Sequence, residues 1–390
     1  MATSTDLQAN WNYPSSMIVG AGRVKELPDI CRQLKLKQPL LVTDRGLALL
    51  PLITEILHLC QKSGLPVSVF SEIQSNPTGK NVEDGVDAYQ AGGHDGVIAI
   101  GGGSALDVGK AVALMAEQER SLWDFEDSGD NWKRVKEDGV APIIAIPTTA
   151  GTGSEVGRAS VIIDELIQVK KIIFHPKMQP AVVILDPKLT VGLPPNITAA
   201  TGMDALSHNL EAYCSPFYHP MAEGIAVEGV RLVKSYLERA VTDGHDLEAR
   251  TQMLVASSMG ATAFQKGLGA MHALAHPLGA LYNIHHGLLN AILMPYVLTA
   301  NRVVIEERIE RLARYLELSN PGFDSFINWV LALRERLDIP HCLTQINVDD
   351  SDAQRIGEMA VLDPSASGNP VLFDARSYAD IFCRAVHGQL

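Results

Sequence analysis

Five short runs of β-branched and aliphatic residues recur through the first half of the chain, each bounded by Gly, Pro or Asp. The runs are residues 39–44, 66–70, 96–100, 141–147 and 181–186. Stretches of helical character, such as 47–63 and 81–92, separate them. Strands that are apolar on both faces and joined by helices imply a parallel sheet covered on both sides. The first half is therefore predicted to be a doubly wound α/β domain.

The strand pattern stops at the Pro- and Gly-rich segment 186–196. The remainder is rich in Ala, Leu, Glu and Met, and its apolar residues are spaced as in helices, for example in 226–241 and 304–318. We therefore expect two domains, an α/β domain over 1–189 and an all-helical domain over 190–390.

Composition limits the partners of such a chain. Its net charge of -13 argues against a nucleic-acid-binding protein, since no basic stripe is present to neutralise phosphates. Five scattered cysteines without a Cys-x-x-Cys pair indicate reduced thiols in a cytoplasmic protein. The first fourteen residues contain no basic region followed by an apolar run, so no signal peptide is predicted. The segment 267–301 has no formal charge, but its histidines, prolines and glycines disfavour a membrane span.

A glycine-rich turn follows the third apolar run. Gly101, Gly102, Gly103 and Ser104 lie between this run and a probable helix. Glycines there let backbone N–H groups approach an anion such as a pyrophosphate, and the helix N-terminus adds partial positive charge. The spacing is neither G-x-G-x-x-G nor a Walker A loop. A second turn at 147–155 follows another strand, so both turns are expected at one crevice. The alternative is a tight turn that binds nothing.

Asp44 ends the first apolar run. A carboxylate at the end of a strand can accept hydrogen bonds from an adenosine ribose and would repel a 2′-phosphate, which favours NAD over NADP. In the usual dinucleotide-binding order the acidic residue comes after the glycine turn, whereas Asp44 precedes it. The competing interpretation is that Asp44 only caps the next helix.

Histidines and an aspartate indicate a metal site. Asp204 and His208 are four residues apart, as are His272 and His276, so each pair shares a helix face. Pro277 and Gly279 are expected to interrupt the helix before His285 and His286. A catalytic site keeps one position open, so we expect Asp204, His208 and two of the four later histidines to bind, and the sequence does not say which two. Such donors suit Fe(II), Zn(II) or Mn(II). Five other histidines are predicted at the surface or in loops: His175, His219, His245, His341 and His387.

Motifs in the same order along nearly the whole chain resemble the iron-containing (group III) alcohol dehydrogenase family. They are LLVTD (40–44), NPT (76–78), GGGSALDVGK (101–110), PTTAGTGSEV (147–156), LDP (185–187), GMDALSH (202–208) and GLGAMHALAHPLGALYNIHHG (267–287). One departure is Gly157, where many relatives carry a hydroxyl residue. The resemblance implies a Rossmann-like NAD-binding domain and a helical metal-binding domain, in a dehydroquinate-synthase-like architecture.

The resemblance also implies roles for individual residues. Asp204, His208, His272 and His286 would bind the metal, which the resemblance implies is iron. His276 would lie near the substrate, and His285 would have no ligand role. The implied cofactor contacts are Asp44, Asn76, Gly102, Gly103, Ser104, Asp107, Thr148, Thr149, Lys170 and Leu189.

The implied activity is that of an NAD(H)-linked alcohol dehydrogenase or aldehyde reductase. Hydride would pass between a metal-bound primary alcohol or aldehyde and the nicotinamide, and His276 would relay the proton. The main alternative is a dehydroquinate-synthase-like lyase that uses NAD and a metal; it needs a Lys and Arg cluster that the metal-binding half lacks around its candidate ligands. A catalytically silent binding protein is the third possibility. The family resemblance further implies a homodimer or a larger homo-oligomer, for which residues 10–24 offer an interface strand.

Overall fold

The computed structural model describes residues 9–11, 15–167 and 169–390. Two predictions therefore fall partly outside the described residues. They are the absence of a signal peptide in the first fourteen residues and the interface strand at 10–24. The chain divides into two compact units. The first comprises residues up to Thr149 together with Gly153–Gly192, and the second comprises Ala150–Thr152 together with Leu193–Leu390.

The first unit contains a seven-stranded sheet and a separate two-stranded one. Along the chain the strands are β1 (Ala9–Trp11), β2 (Ser16–Val19), β3 (Leu40–Val42), β4 (Ser68–Phe70), β5 (Val97–Gly101), β6 (Ile143–Pro147), β7 (Ala159–Asp164), β8 (Val169–Phe174) and β9 (Val182–Leu185). The large sheet has the order β1-β2-β9-β6-β5-β3-β4. All neighbours in it are parallel except β1 and β2. The five apolar runs form β3, β4, β5, β6 and β9, which confirms the predicted parallel sheet.

The described residues of this unit form five α-helices: α1 (Leu27–Gln33), α2 (Arg45–Ala48), α3 (Pro51–Lys62), α4 (Gly79–Ala91) and α5 (Gly103–Met115). On one face of the sheet, Ile98 and Ile100 of β5 join a buried cluster with side chains of α1 and α3. On the other face, a β-carbon at Gly109 of α5 would lie 2.6 Å from that of Ala99, so helix and strand are in close contact. Because alternate residues of β5 point to opposite faces, the sheet is covered on both sides, as predicted.

The order of the strands reverses between β3 and β5. After β3 the chain adds β4 on one side, and then β5 and β6 follow on the other side. In open α/β sheets, ligands bind beyond the carboxyl ends of the strands at such a reversal. Asp44 and the glycine turn follow these two strands directly.

The β7–β8 hairpin was not predicted from the sequence. Its strands carry charged residues such as Asp164, Lys170 and Lys171 and are only partly buried. They therefore lack the continuous apolar character by which the core strands were found.

Eight helices form the second unit, and the residues described there contain no strand. They are α6 (Pro195–Cys214), α7 (Pro220–Thr242), α8 (Leu247–Ala263), α9 (Ala270–Tyr282), α10 (His286–Tyr315), α11 (Phe323–Arg336), α12 (Ala353–Leu362) and α13 (Ala375–His387). The prediction of an all-helical second half is confirmed. Helix α6 is buried on all sides from Thr198 to Cys214, which makes it the centre of this unit.

The expectation that Pro277 and Gly279 interrupt the helix before His285 is wrong. Helix α9 continues through both residues to Tyr282 and ends at Asn283, whose backbone is left-handed with φ 52°. A proline inside a helix removes one backbone hydrogen bond but has a suitable φ angle. Both Pro277 and Gly279 are buried here, so tertiary packing retains the helical path.

Helix α10 is the one helix among the described residues that is long and apolar enough to cross a membrane. In its most apolar window 67% is buried within the protein, as in the core helix of a globular unit.

Candidate functional site

The glycine turn requires a residue without a side chain at its first position. Gly101 has φ +148°, and a β-carbon there would lie 2.7 Å from that of Ala105 and 3.5 Å from Asp44 Oδ2. Helix α5 begins two residues later, and no described side chain caps it. The first amide N–H groups of a helix have no partner within the helix, so these groups can bind an anion.

Asp44 lies next to this turn and also caps a helix. Its Oδ1 accepts a hydrogen bond from the backbone N–H of Leu47 at 2.9 Å, so Asp44 caps helix α2. Its Oδ2 is the oxygen that faces Gly101. The cap holds the carboxylate beside the glycine turn, where a ribose role is also compatible with its position.

Two further loops lie beside the glycine turn. The backbone N–H of Thr148 donates to Gly101 O at 3.0 Å, and a β-carbon at Gly102 would lie 3.6 Å from Thr149 Oγ1. The hydroxyl of Ser104 donates to Ser75 O at 2.5 Å, which places the loop containing Asn76 nearby. Most predicted cofactor residues, including Gly103, are therefore grouped at the ends of β3, β5 and β6. Leu189 instead follows β9 and packs against the buried cluster under α1 and α3.

Lys170 and Lys171 differ in their surroundings. Lys171 pairs with Asp164 at 3.1 Å and with Glu126 at 3.3 Å. For the ammonium group of Lys170, no carboxylate of the described residues lies within ion-pair distance. Burial lowers the pKa of Lys170, and the charge of Asp107 opposes this shift. This supports Lys170 rather than Lys171 as the residue available to a ligand.

The carboxylate of Asp107 already has three protein partners. It accepts hydrogen bonds from Ser154 Oγ at 2.5 Å and from the backbone N–H of Val161 at 3.0 Å. The buried ammonium group of Lys110 lies 3.3 Å away. Asp107 therefore joins α5 to the β7–β8 hairpin, and its predicted contact with a cofactor stays a prediction.

Four side chains of the second unit bring possible metal ligands together. Asp204, His208 and His272 are buried, and each offers a ligand atom within 4.8 Å of the others. His286 is the fourth, with Nε2 3.7 Å from Asp204 Oδ1. The rings of His208 and His272 are stacked with centroids 4.8 Å apart. The sequence alone did not say which two of the four later histidines join Asp204 and His208. The packing of α6, α9 and α10 places His272 and His286 beside them.

Hydrogen bonds orient two of these rings. His208 Nδ1 lies 3.2 Å from the carbonyl oxygen of Gly151, and His272 Nδ1 lies 2.6 Å from Glu211 Oε2. Because a carbonyl or carboxylate oxygen only accepts, each Nδ1 carries the proton and each Nε2 keeps its lone pair. This is the arrangement that a metal-binding imidazole needs.

Contacts of Asn290 show that three of the four possible ligands converge. Its Nδ2 lies 2.9 Å from Asp204 Oδ1, 3.2 Å from His272 Nε2 and 3.1 Å from His286 Nε2. Three acceptors surround one donor nitrogen, while Asn290 Oδ1 is buried without a hydrogen-bond partner. A convergent set of one carboxylate oxygen and imidazole nitrogens fits a divalent metal such as iron, zinc or manganese.

Burial shifts two ionisations at the centre. It raises the pKa of Glu211 to about 7, although the backbone N–H groups of Gly269 and Met271 oppose the shift. It lowers the pKa of His272 well below 6.5, and the neighbouring His208 adds to this effect. A neutral imidazole is the form that binds a metal.

His276 and His285 lie beside the group in different settings. The ring of His276 is stacked on that of His286, with centroids 5.3 Å apart, and its Nδ1 lies 2.8 Å from Asp363 Oδ2. The charge and hydrogen bond of His276 lower the pKa of Asp363, although burial acts in the opposite direction. His285 is exposed at the start of α10.

Sequence reasoning missed Glu211, Asn290 and Asp363. Glu211 is seven residues after Asp204 and Asn290 is four after His286, so helical spacing offered a signal for both. For Asp363, 87 residues from His276, the sequence contained no signal. Of the histidines predicted elsewhere, His245, His341 and His387 are exposed, His219 caps α7, and His175 is a buried residue that precedes a short turn of helix.

Comparison with known proteins gives consistent matches over both units. The model of the family "Iron-containing alcohol dehydrogenase" matches residues 14–187, and that of the C-terminal domain of the Fe-containing family matches residues 198–386. The chain is 39% identical to 4-hydroxybutyrate dehydrogenase of Cupriavidus necator, over 94% of this chain and 97% of that protein. It is 33% identical to the NAD-dependent methanol dehydrogenase of Bacillus methanolicus, over 97% and 100%. A crystal structure of 1,3-propanediol oxidoreductase superposes with a TM-score of 0.90 at 32% identity, covering 97% of this chain and all of that one.

Proposed function

The chain belongs to the iron-containing alcohol dehydrogenase family, and from this premise we propose which of its residues carry out the reaction. It is a metal-dependent, NAD(H)-linked dehydrogenase that transfers hydride between a primary alcohol or aldehyde and the nicotinamide. Asp204, His208, His272 and His286 hold the metal. The observation that carries this proposal is the convergence of Asp204, His272 and His286 on Asn290 Nδ2. His208 joins them, with Nε2 3.9 Å from Asp204 Oδ1.

The bound divalent metal supplies Lewis acidity, which lowers the pKa of an alcohol hydroxyl and polarises an aldehyde carbonyl. The side chains of the second unit hold it with a single carboxylate, Asp204, and neutral imidazoles. The carbonyl oxygen of Gly151 orients the ring of His208, and Glu211 orients that of His272, so that each Nε2 is available to the metal.

His276 moves the proton in this proposal. Its Nδ1–H donates to Asp363, which leaves Nε2 with a lone pair that can accept the proton of an alcohol hydroxyl. The carboxylate of Asp363 at 2.8 Å stabilises the imidazolium that forms. In aldehyde reduction the same nitrogen returns the proton to the developing alcohol oxygen.

In the first unit, the glycine turn binds the pyrophosphate and Asp44 binds the adenosine ribose. The uncapped amides of α5 and the positive φ of Gly101 support the first assignment. The carboxylate of Asp44 beside the turn supports the second and favours NAD over NADP, because it repels a 2′-phosphate. Lys170, Thr148, Thr149, Asn76 and Leu189 complete the proposed contacts.

For the substrate we propose small primary alcohols with a second polar end, such as diols and ω-hydroxy acids, together with their aldehydes. The names of two similar proteins, a 4-hydroxybutyrate dehydrogenase and a 1,3-propanediol oxidoreductase, support this class.

The test is aldehyde-dependent NADH oxidation by metal-stripped protein, with Fe(II), Zn(II) or Mn(II) added back without oxygen. Activity restored by one metal supports the proposal and identifies the working cation. A dehydroquinate-synthase-like lyase regenerates its NAD within each turnover and would consume no NADH. Absence of NADH loss with every metal, across short aldehydes and semialdehydes, would overturn the assignment of a dehydrogenase site.

The cellular setting is also a proposal. We propose a cytoplasmic homodimer or larger homo-oligomer, supported by the acidic net charge of -13, the unpaired cysteines and the family resemblance. Size-exclusion chromatography with light scattering tests the oligomeric state. A mass near 42.1 kDa would indicate a monomer and contradict the proposed homo-oligomer.

A further inference from the structure

Glu211 is a buried carboxylate beside the proposed metal ligands. It lies on α6, three residues after His208 and seven after Asp204, which places all three on one face of that helix. Its side chain is only 4% exposed. It is not among the proposed ligands, so its burial requires another explanation, because an unpaired buried charge is costly.

Three donors at the start of α9 surround this carboxylate. Glu211 Oε2 accepts from His272 Nδ1 at 2.6 Å and from the backbone N–H of Gly269 at 2.9 Å. Oε1 accepts from the backbone N–H of Met271 at 2.7 Å. The two amides belong to the first turn of α9, where a helix favours negative charge. Glu211 therefore joins the helix that carries Asp204 and His208 to the helix that carries His272.

The contact with His272 determines the tautomer of that ring. An ionised carboxylate offers no proton, so Nδ1 must donate and Nε2 must hold a lone pair. On the opposite side of the ring, Asn290 Nδ2 lies 3.2 Å from Nε2 and can only donate to it. Both neighbours of His272 therefore select the same tautomer.

The second negative charge matters for a divalent ion. Among the proposed ligands only Asp204 is anionic, and the three histidines are neutral when they bind a metal. Glu211 is a second carboxyl group within the same buried region. A bound cation favours its ionised form, so the two carboxylates would together balance a charge of +2.

We propose that Glu211 is a positioning residue of the metal centre, which directs His272 Nε2 toward the metal and balances its charge. The inference rests on the proposed ligand set. It assigns to Glu211 an effect on metal affinity, transmitted through His272, and no contact with substrate or cofactor.

The test compares two substitutions in the full-length protein. Glu211→Gln removes the charge but keeps one acceptor oxygen, whereas Glu211→Leu removes both. Loss of such an outer partner typically weakens metal binding by about 10- to 100-fold. We therefore expect the dissociation constant for Zn(II), measured by competition with a chelator, to rise within that range, and more for Leu than for Gln.

Glu223→Gln is the matched control. Glu223 pairs with Lys266 at 2.9 Å and with Arg308 at 3.1 Å in the same unit, so its loss also removes buried or half-buried ion pairs. Its ion-pair partners are not proposed ligands, so the Zn(II) affinity of Glu223→Gln should equal that of the wild type. Equal affinities in wild type, both Glu211 variants and the control would overturn the proposal.

A second readout needs no metal. In metal-free protein with ¹⁵N-labelled histidine, the wild type should show His272 protonated at Nδ1. Because Asn290 selects the same tautomer, Glu211→Leu is compared in the wild-type and the Asn290→Ala background, and the Nε2–H form should increase, most of all in the double variant. The same tautomer in Asn290→Ala with and without Glu211→Leu would overturn the role of Glu211. An Asp204→Asn variant that binds Zn(II) as tightly as the wild type would instead show that the proposed ligand set is wrong, whatever the tautomer.

Discussion

At the start of α10, two adjacent histidines have different surroundings. The ring of His286 lies against those of His272 and His276, whereas His285 is exposed. A substitution at His285 is therefore a closely matched control for the same substitution at His286. If His286 binds the metal, loss of its imidazole should lower metal content and activity, whereas loss of the imidazole of His285 should not.

The first prediction uses this pair. His286→Gln should lower metal occupancy and reduce turnover by at least about 100-fold. Loss of the hydrogen-bond partner of a metal ligand typically costs about 10- to 100-fold, and loss of the ligand itself should cost more. His285→Gln should retain both within about twofold. Metal content per chain and NADH oxidation are measured for each variant. A larger loss of metal from His285→Gln would reverse the assignment.

The second prediction concerns the proton relay. His276→Ala should reduce turnover by roughly 10²- to 10⁴-fold, the usual contribution of a general acid or base, while metal content stays at the wild-type level. Asp363→Asn should cause a smaller loss, because His276 keeps its nitrogen but loses the carboxylate at 2.8 Å. Loss of metal from His276→Ala would show that His276 is a ligand.

At the element scale, the two glycine-containing turns of the first unit impose different constraints. Gly101 joins β5 to α5 with φ +148°, in a region that is essentially restricted to glycine. Gly157 has φ -89°, and a β-carbon there would lie 3.6 Å from both Lys110 Nζ and Ser154 O, which is ordinary contact. A side chain is therefore excluded at the first position and accepted at the second.

The third prediction follows from this difference. Gly101→Ala should cost about 1–3 kcal/mol of stability and weaken NADH binding by at least about tenfold, because the turn must shift. Gly157→Ser should change the free energy of unfolding by no more than about 0.5 kcal/mol. Denaturant unfolding and NADH fluorescence titration measure the two effects. Normal NADH binding by Gly101→Ala would argue against the glycine turn as the pyrophosphate site.

The elements also show where local pattern was sufficient. The apolar runs of β3, β5, β6 and β9 identified the core strands, because a strand buried on both faces has apolar residues throughout. The β7–β8 hairpin escaped detection because Asp164, Lys170 and Lys171 interrupt its apolar residues. The continuation of α9 through Pro277 could not be read locally, since proline usually ends a helix and only the surrounding packing retains it here.

At the scale of the whole molecule, three cysteines are buried and two are partly exposed. Burial raises the pKa of Cys31 to about 12, that of Cys60 to about 11 and that of Cys214 to about 12. Cys342 and Cys383 are the partly exposed pair. The thiolate is the reactive form, so buried thiols should resist modification throughout the neutral range.

The fourth prediction is a thiol count. At pH 8 the folded protein should react with an aromatic disulfide reagent at no more than two cysteines, and the denatured protein at all five. Above pH 9 the unfolded chain loses thiol protons that the folded chain retains, so the free energy of unfolding should fall as pH rises. More than two reactive thiols in protein shown to be folded would contradict the burial of Cys31, Cys60 and Cys214.

Local sequence patterns were sufficient to predict the parallel sheet, the helical second half, the glycine turn and the Asp204–His208 pair. Each of these depends on spacing within one element, where the periods of strand and helix link position to direction. The family motifs added the expected ligand set and the activity. In this sense the chemistry was predictable wherever its residues are neighbours along the chain.

Contacts between side chains that are distant along the chain depend on the packing of the folded protein. Glu211 lies beside His272, 61 residues away, and Asp363 lies beside His276, 87 residues away. Asn290 reaches Asp204 across 86 residues. Such contacts depend on how α6, α9 and α10 pack against one another, and a linear pattern does not encode the rotation and offset of packed helices. The groups that orient the proposed ligands therefore became visible only in the folded chain.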